Sequence, residues 1–463
     1  MVDRKRELND GKSHRLKRFL DTFNSKRMKQ QCDNIRKKHR ILFEVIVGLV
    51  LSVCICSLLR FLPIPYTLHL GILSTSNWNV PESGTYTIVD EVISRFESTH
   101  PYVKVKYTSG IVRDDYSQWL SEQIVKGMQP DLFMVLDQDF NTMASLGALK
   151  ELNSFIEQDQ YVQSADFYSS AIEEGTYNHQ IYALPYQCNL KLMFVNKGLL
   201  KKEGIVVPDW NWTTEDLLRI SSQITKDSDF DGIVDQWGIS GYTVDDTIEA
   251  FGLNLFNDEG NTAYINQNDV RQAVLFMQEM AAVDQSNFSG NTTEGFDSGQ
   301  TAFAPMSLAE YKTYGPYPWK VRRYSTFDWT ILPMPSLNSE QSRCSLETLM
   351  MGISATTAHP QDAWDLLRLF TCDPEIQTMM MEQTSGTSAM VQLVKNTEIA
   401  NDEVSWDMLD FALSHTKAKK RFRKFEDASR LLNNGISKII RSSSDLDLEL
   451  LDLQKQLNSF LRE

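Results

Sequence analysis

Between Leu68 and Leu136 the apolar spacing switches between a period of two and a period near 3.6, and this alternation constrains the fold more than anything else in the chain. Leu68–Leu73 alternates and is short, which predicts a strand, and Val103–Tyr107 interleaves valine with lysine in the same way. Tyr86–Glu97 and Tyr116–Lys126 carry apolar residues three and four positions apart and predict helices. Asp131–Leu136 is a continuous apolar run behind Pro130, the pattern of a short buried strand. Strand and helix in strict alternation imply parallel βαβ units and an α/β layer fold.

Further along, Thr214–Thr225 and Asn268–Ala282 predict helices, and Thr301–Ala304 and Trp329–Leu332 predict strands. Ile181–Val195 is apolar with Pro185 inside it, and from Gln361 onward the chain reads as almost wholly helical, ending in Leu446–Leu461. There is neither an internal repeat nor a linker longer than a loop. Two lobes joined by several chain crossings fit this pattern better than beads on a string.

Charge divides the chain into three environments. Residues 1–40 hold fourteen Lys/Arg against five Asp/Glu, residues 41–62 hold only Glu44 and Arg60, and residues 63–463 hold thirty-one basic against fifty-five acidic residues. Val45–Leu59 carries no charge, and about twenty helical residues cross a hydrocarbon core of ~30 Å. Arg36-Lys37-Lys38-His39-Arg40 lies directly upstream, so the positive-inside rule predicts a single-pass membrane helix over 41–62. The basic tip 1–40 is then cytoplasmic and the acidic body extracellular. A cleaved signal fits less well, because its n-region would be forty residues long and no small-x-small site follows. Lipid attachment at Cys54 or Cys56 is the remaining alternative. An acidic body repels phosphate, so nucleic acid is not an expected partner.

Motifs for catalysis are missing. There is no G-x-S-x-G elbow, no H-E-x-x-H and no phosphate-cradling glycine loop, and the histidines have no metal-ligand spacing. The chain is therefore not expected to be an enzyme. In the body beyond the apolar run the cysteines are Cys188, Cys344 and Cys372, an odd number for which buried thiols are the default reading. One motif does stand out. Asp227, Asp229, Asp231 and Asp235 occupy positions one, three, five and nine of a loop with Gly232 at six, the spacing that curls oxygen ligands around calcium. The twelfth position, usually a bidentate glutamate, is Gly238. A structural calcium site and an Asx-rich turn closing a hairpin are the two readings, and no other cofactor is required.

From about Thr67 to its end the chain resembles the extracellular solute-binding proteins of the maltose-binding type, which serve carbohydrate ABC importers. The resemblance is carried by Pro130-Asp131-Leu132-Phe133, by Leu146–Leu152, and by Gln180-Ile181-Tyr182-Ala183-Leu184-Pro185-Tyr186 running into Asn196-Lys197-Gly198-Leu199. Trp212–Leu217, Asp227–Gly238, Phe296–Ala302, Phe327–Pro333 and Ala363–Phe370 complete it, in order. It implies a two-lobed periplasmic-binding-protein-like α/β fold with hinge crossings. Lobe one would comprise 67–152 and 305–355, and lobe two 153–304 and 356–463. It also implies a monomer that captures a sugar or oligosaccharide by hinge closure and delivers it to an ABC permease, or, alternatively, a tethered receptor that signals through a partner.

By position, the family's ligand contacts fall on Asn77 and Trp78 after the first strand, on Asp137 and Asp139 after the Pro-Asp-Leu strand, and on Tyr186, Asn189 and Lys191. Alternation puts Asn189 and Lys191 on one side of a strand. In relatives the segments matching Ala304–Leu308 and Ser345–Met350 line the cleft, which adds Glu347. Both segments lack the aromatic residues that relatives often carry there, so two stacking platforms for a sugar are lost.

Overall fold

The structure is a computed structural model. It describes residues 22, 25, 28–31, 33–52, 64–78, 80, 82, 84–286, 294–314, 327–338, 344–396 and 406–463. The chain divides into two compact units, Met1–Tyr66 and Thr67–Glu463. In the first, residues 33–52 are helical and exposed, with Arg40 paired to Glu44 at 3.3 Å. Among the described residues no helix is long and apolar enough to cross a membrane. Of the crossing expected at 41–62, residues 53–62 lie outside the described residues, so the described helix does not support it.

Among the described residues the main sheet of the second unit has nine strands: β1 (Tyr66–Gly71), β2 (Val103–Tyr107), β3 (Leu132–Leu136), β4 (Leu184–Asn196), β5 (Trp237–Ile239), β6 (Thr301–Ser307), β7 (Trp329–Pro333), β8 (Cys344–Ile353) and β9 (Thr416–Lys417). Their order is β2-β1-β3-β8-β4-β6-β5, with β9 on β8 and β7 on β4. Two strands are long enough to serve both lobes. The first half of β4 pairs antiparallel with β8, which pairs in turn with β3; the second half pairs with β6 and β7. Parallel β1–β3 pairing confirms the βαβ expectation, and the antiparallel β8 follows it.

Pro185 sits inside β4 because the ladder makes room for it. The register slips between Leu349 and Met350, leaving Tyr186 as an extra residue, and the Gln377 side chain donates to the Tyr186 carbonyl at 3.1 Å. A bulge is where a strand tolerates a residue without an N–H.

Helices cover the sheet: α1 (Thr85–Thr99), α2 (Arg113–Val125), α3 (Asp137–Ser145), α4 (Thr214–Ile224), α5 (Val244–Ala250), α6 (Asn268–Met280), α7 (Leu308–Tyr314), α8 (Pro360–Cys372), α9 (Pro374–Gln383), α10 (Trp406–Ser414), α11 (Phe425–Ile440) and α12 (Leu446–Arg462). One core gathers about the second half of β4, with Phe194, Phe303, Trp212 and Leu217 buried in it. A second, wholly helical core joins α6, α11 and α12 through Val274, Ile436, Leu453 and Leu457. The expected lobe division gives 356–463 to lobe two. Helices α8 and α9 lie on α1, where Arg95 reaches Glu375 at 2.9 Å and Asp373 at 3.6 Å. Their apolar faces, with Trp364, Leu367 and Phe370, are indistinguishable in pattern from those of lobe-two helices.

Gly238 shows why one departure from the calcium-loop pattern was unavoidable. A Cβ there would stand 2.4 Å from the Ser221 Cα and 2.5 Å from its carbonyl oxygen, because β5 and α4 touch backbone to backbone. Gly238→Ala is expected to cost about 2 kcal/mol in a chemical-denaturation experiment through overpacking alone.

Candidate functional site

Strand β3 is buried along its whole length, and its carboxyl end runs directly into α3. Asp137 and Asp139 therefore occupy the first turn of a helix, where exposed N–H groups favour negative charge. Across from them, α5 begins with a capping box. Asp246 accepts from the Thr243 backbone N–H at 2.8 Å and from its hydroxyl at 2.7 Å. The same Asp246 holds the Lys191 ammonium at 2.7 Å, so the helix cap and the cation are one cluster. Burial opposes charge on Lys191, yet Asp246 keeps its pKa above the ordinary value.

These elements, with β8 and the start of α11, enclose a cleft of about 810 Å³. Of the residues named from sequence, Asp139, Lys191 and Glu347 line it. Asn189 does so indirectly. Nearly fully buried, it is the cross-strand partner of Glu347, donates to the Glu347 carboxylate at 3.3 Å, and accepts from the Ala309 N–H of α7 at 3.0 Å. Its place is that of a brace holding Glu347 and capping a helix.

Asp137 lies behind the cleft. Its carboxylate accepts from Lys419 at 2.5 Å and from Arg421 at 2.7 Å, while Arg421 also pairs with Glu174 and stacks over Phe140. Burial alone would push the Asp137 carboxyl up, but the two cations hold it below its usual value. Asp139, two residues on in the same turn, is pushed the other way by burial, although Ser117 donates to it at 2.5 Å.

Asn77, Trp78 and Tyr186 form a separate corner. Ser76 meets Ser385 at 2.9 Å, and a Cβ on Gly386 would come within 2.9 Å of the Trp78 ring. Tyr186 is fully buried edge-on against Phe370. Neither ring stands among the residues that line the cleft, where Phe425 is the one aromatic among the described residues. The expected single set of contacts is thus divided between cleft, brace, ion cluster and corner.

Much of the cleft comes from residues that sequence reading passed over: Asp245 and Glu249 on α5, and Arg423, Glu426 and Asn433 around α11. A signal was present. Residues 417–424 read Lys-Ala-Lys-Lys-Arg-Phe-Arg-Lys, a basic run in an acidic body. That run is pulled inward by carboxylates: Lys417 pairs with Glu249 at 3.3 Å, Lys419 and Arg421 with Asp137, and Lys420 with Asp258.

In the acidic loop, carboxylate oxygens of Asp227, Asp229 and Asp231 lie within 4.8 Å of one another. Backbone N–H groups already serve them: Gly232 donates to Asp227 at 2.7 Å, and Ile233 donates to Asp231 at 2.8 Å. Asp235 stands apart from the trio and accepts from the Ser228 N–H at 2.7 Å and hydroxyl at 2.8 Å.

The Asp137 cluster sets an expected pH dependence. A carboxyl whose folded pKa is depressed stabilises the fold above its unfolded value, near 3.9, and loses that contribution as pH falls through the folded value. Asp137→Asn should destabilise by about 3 kcal/mol at neutral pH, since it leaves Lys419 and Arg421 short of charge. Denaturation curves of the two proteins should converge as the pH drops below about 4.

Comparison with known proteins agrees with this fold. The family described as bacterial extracellular solute-binding protein matches residues 81–373. The chain is 19% identical over 389 residues to a maltotriose-binding protein of Pyrococcus abyssi, covering 83% of this chain and 81% of that one. Among solved structures, the sugar-binding protein MalE of Xanthomonas citri superposes with a TM-score of 0.70 at 16% identity, over 86% of this chain and 98% of the other. An ABC substrate-binding protein of Listeria monocytogenes in complex with cycloalternan gives 0.66 at 18% identity, over 86% and 99%. These neighbours share the two-lobed α/β fold.

Proposed function

Because the chain belongs to the bacterial extracellular solute-binding proteins, we propose that it captures a sugar or oligosaccharide in the cleft between its lobes and delivers it to an ABC permease. The observation that carries this reading is the cleft itself. Carboxylates, amides and a lysine from α3, α5, β4, β8 and α11 converge on one space, which is the equipment for hydrogen-bonding hydroxyl groups. The architecture supports capture by hinge closure: β4 pairs with β8 over its first half and with β6 over its second, and contacts made only when the halves approach would favour the closed state. The neutral run 41–62 serves as a single-pass anchor in this reading, with residues 1–40 cytoplasmic and the monomeric body outside. Among the similar proteins one is named as a maltotriose-binding protein and another was solved in complex with cycloalternan, which supports a carbohydrate ligand.

Thermal melting of the full chain against mono- and oligosaccharides tests the proposal. A ligand at a hundredfold excess over Kd should add about 2.7 kcal/mol and raise Tm measurably. Lys191→Ala should remove most of that rise, and a full-sized rise in the variant would place the ligand elsewhere. We also propose a structural calcium ion at Asp227, Asp229 and Asp231. A chelator should then lower the Tm of the empty protein, and Asp229→Ala should make the melt indifferent to chelator; identical melts with and without chelator in the unaltered chain would remove the ion.

A further inference from the structure

The ion pairs around the cleft do not use up its carboxylates. Lys191 is held by Asp246, Lys419 by Asp137 and Arg430 by Asp427. Besides Asp139, which accepts from the Ser117 hydroxyl, three acidic side chains facing the same space, Asp245, Glu347 and Glu426, have no salt-bridge partner among the described residues. Asp245 accepts two hydrogen bonds from the Asn433 amide, at 3.0 and 3.1 Å, and Glu347 accepts one from Asn189. One oxygen of Glu426 is buried with no hydrogen-bond partner at all among the described residues. Lys419 lies within electrostatic reach of Glu347 and Glu426, but its ammonium is bonded to Asp137 and already balanced there. Arg423 lines the cleft without an ion pair among the described residues and offsets one of the three charges. The space is left with an excess of negative charge.

A second observation is independent of charge. Asn141, on α3, lines the cleft at 1% exposure, and neither its carbonyl oxygen nor its amide nitrogen has a partner among the described residues. Burying a donor and an acceptor unmet is unfavourable, so this amide is placed for groups that arrive with the ligand. Stacking is a minor resource here, since Phe425 is the one aromatic lining residue described.

From this we infer that the ligand is cationic: a saccharide bearing a free, protonated amine. The sugar part rests on the proposed carbohydrate-binding function, whereas the charge rests on the cleft alone. A neutral sugar filling this space would strip water from Glu347, Asp245 and Glu426 and return only hydroxyl hydrogen bonds. An ammonium offers three charge-assisted donors to groups that can only accept, and the neighbouring hydroxyls meet Asn141.

Isothermal titration of the full chain with four probes separates the two claims: short glucosamine oligomers, their fully N-acetylated forms, maltotriose and spermidine. The expected result is binding of the glucosamine oligomers with N-acetylation costing about tenfold or more in affinity, and an affinity that falls as salt is raised. Glu347→Gln combined with Asp245→Asn should erase that preference while leaving the melt of the empty protein in place. Equal or tighter binding of maltotriose or the acetylated oligomers overturns the cationic ligand and leaves the carbohydrate function standing. Binding of spermidine alone keeps the charge preference and overturns the sugar. No binding by any of the four overturns the cationic saccharide.

Discussion

Two antiparallel strands, Leu184–Asn196 and Cys344–Ile353, are the constraint on which the rest of the second unit depends. Each is long enough for its two halves to have different neighbours, so the hydrogen-bond ladder that closes one half of the sheet is continuous with the ladder that opens the other. Register fixes the consequences. Glu347 must lie beside Asn189, Lys191 must lie beside Ser307, and both acidic and basic side chains must emerge where the two halves meet. A one-residue slip of either strand would turn all of them to the opposite face.

Charge does the second part of the organisation. An acidic body repels itself, and six of its thirty-one cations stand in the short run Lys417–Lys424. By pairing with Glu249, Asp137, Glu174 and Asp258, that run ties α3, α5 and the segments around them to the entry of α11. The strand Thr416–Lys417 beside Cys344–Ser345 fixes where it starts. Such buried pairs add little net stability over apolar packing, but each one that forms dictates which carboxylates remain free. The acidity of the cleft is what remains after these pairings.

The agreement between expected and observed elements is closest where periodicity is strong. Val103–Tyr107 has the bounds expected of it, and Thr214–Ile224 and Asn268–Met280 differ from expectation only at their last turn. The site was less legible. Asn189 and Lys191 lie on one strand and do share a side, but nothing in the sequence says that Asn189 would be consumed by Ala309 and Glu347 while Lys191 reached Asp246, fifty-five residues away. Trp78 follows the first strand as a ligand contact should, yet the loop through Ser385 and Gly386 lies over it. That loop is three hundred residues distant in sequence, and no local signal announces it.

The amino-acid sequence by itself determined the α/β alternation, the two-lobed class, the acidic body behind a basic tip, and the carboxylates at the end of the third strand, because all of these follow from local periodicity and composition. Tertiary structure alone decided which charges are spent and which are left over. Asp137 and Asp139 stand two residues apart on one helical turn with the same intrinsic chemistry, yet one is locked between Lys419 and Arg421 and the other faces the cleft. The partners that separate them come from the far end of the chain, and only folding brings them within hydrogen-bonding distance.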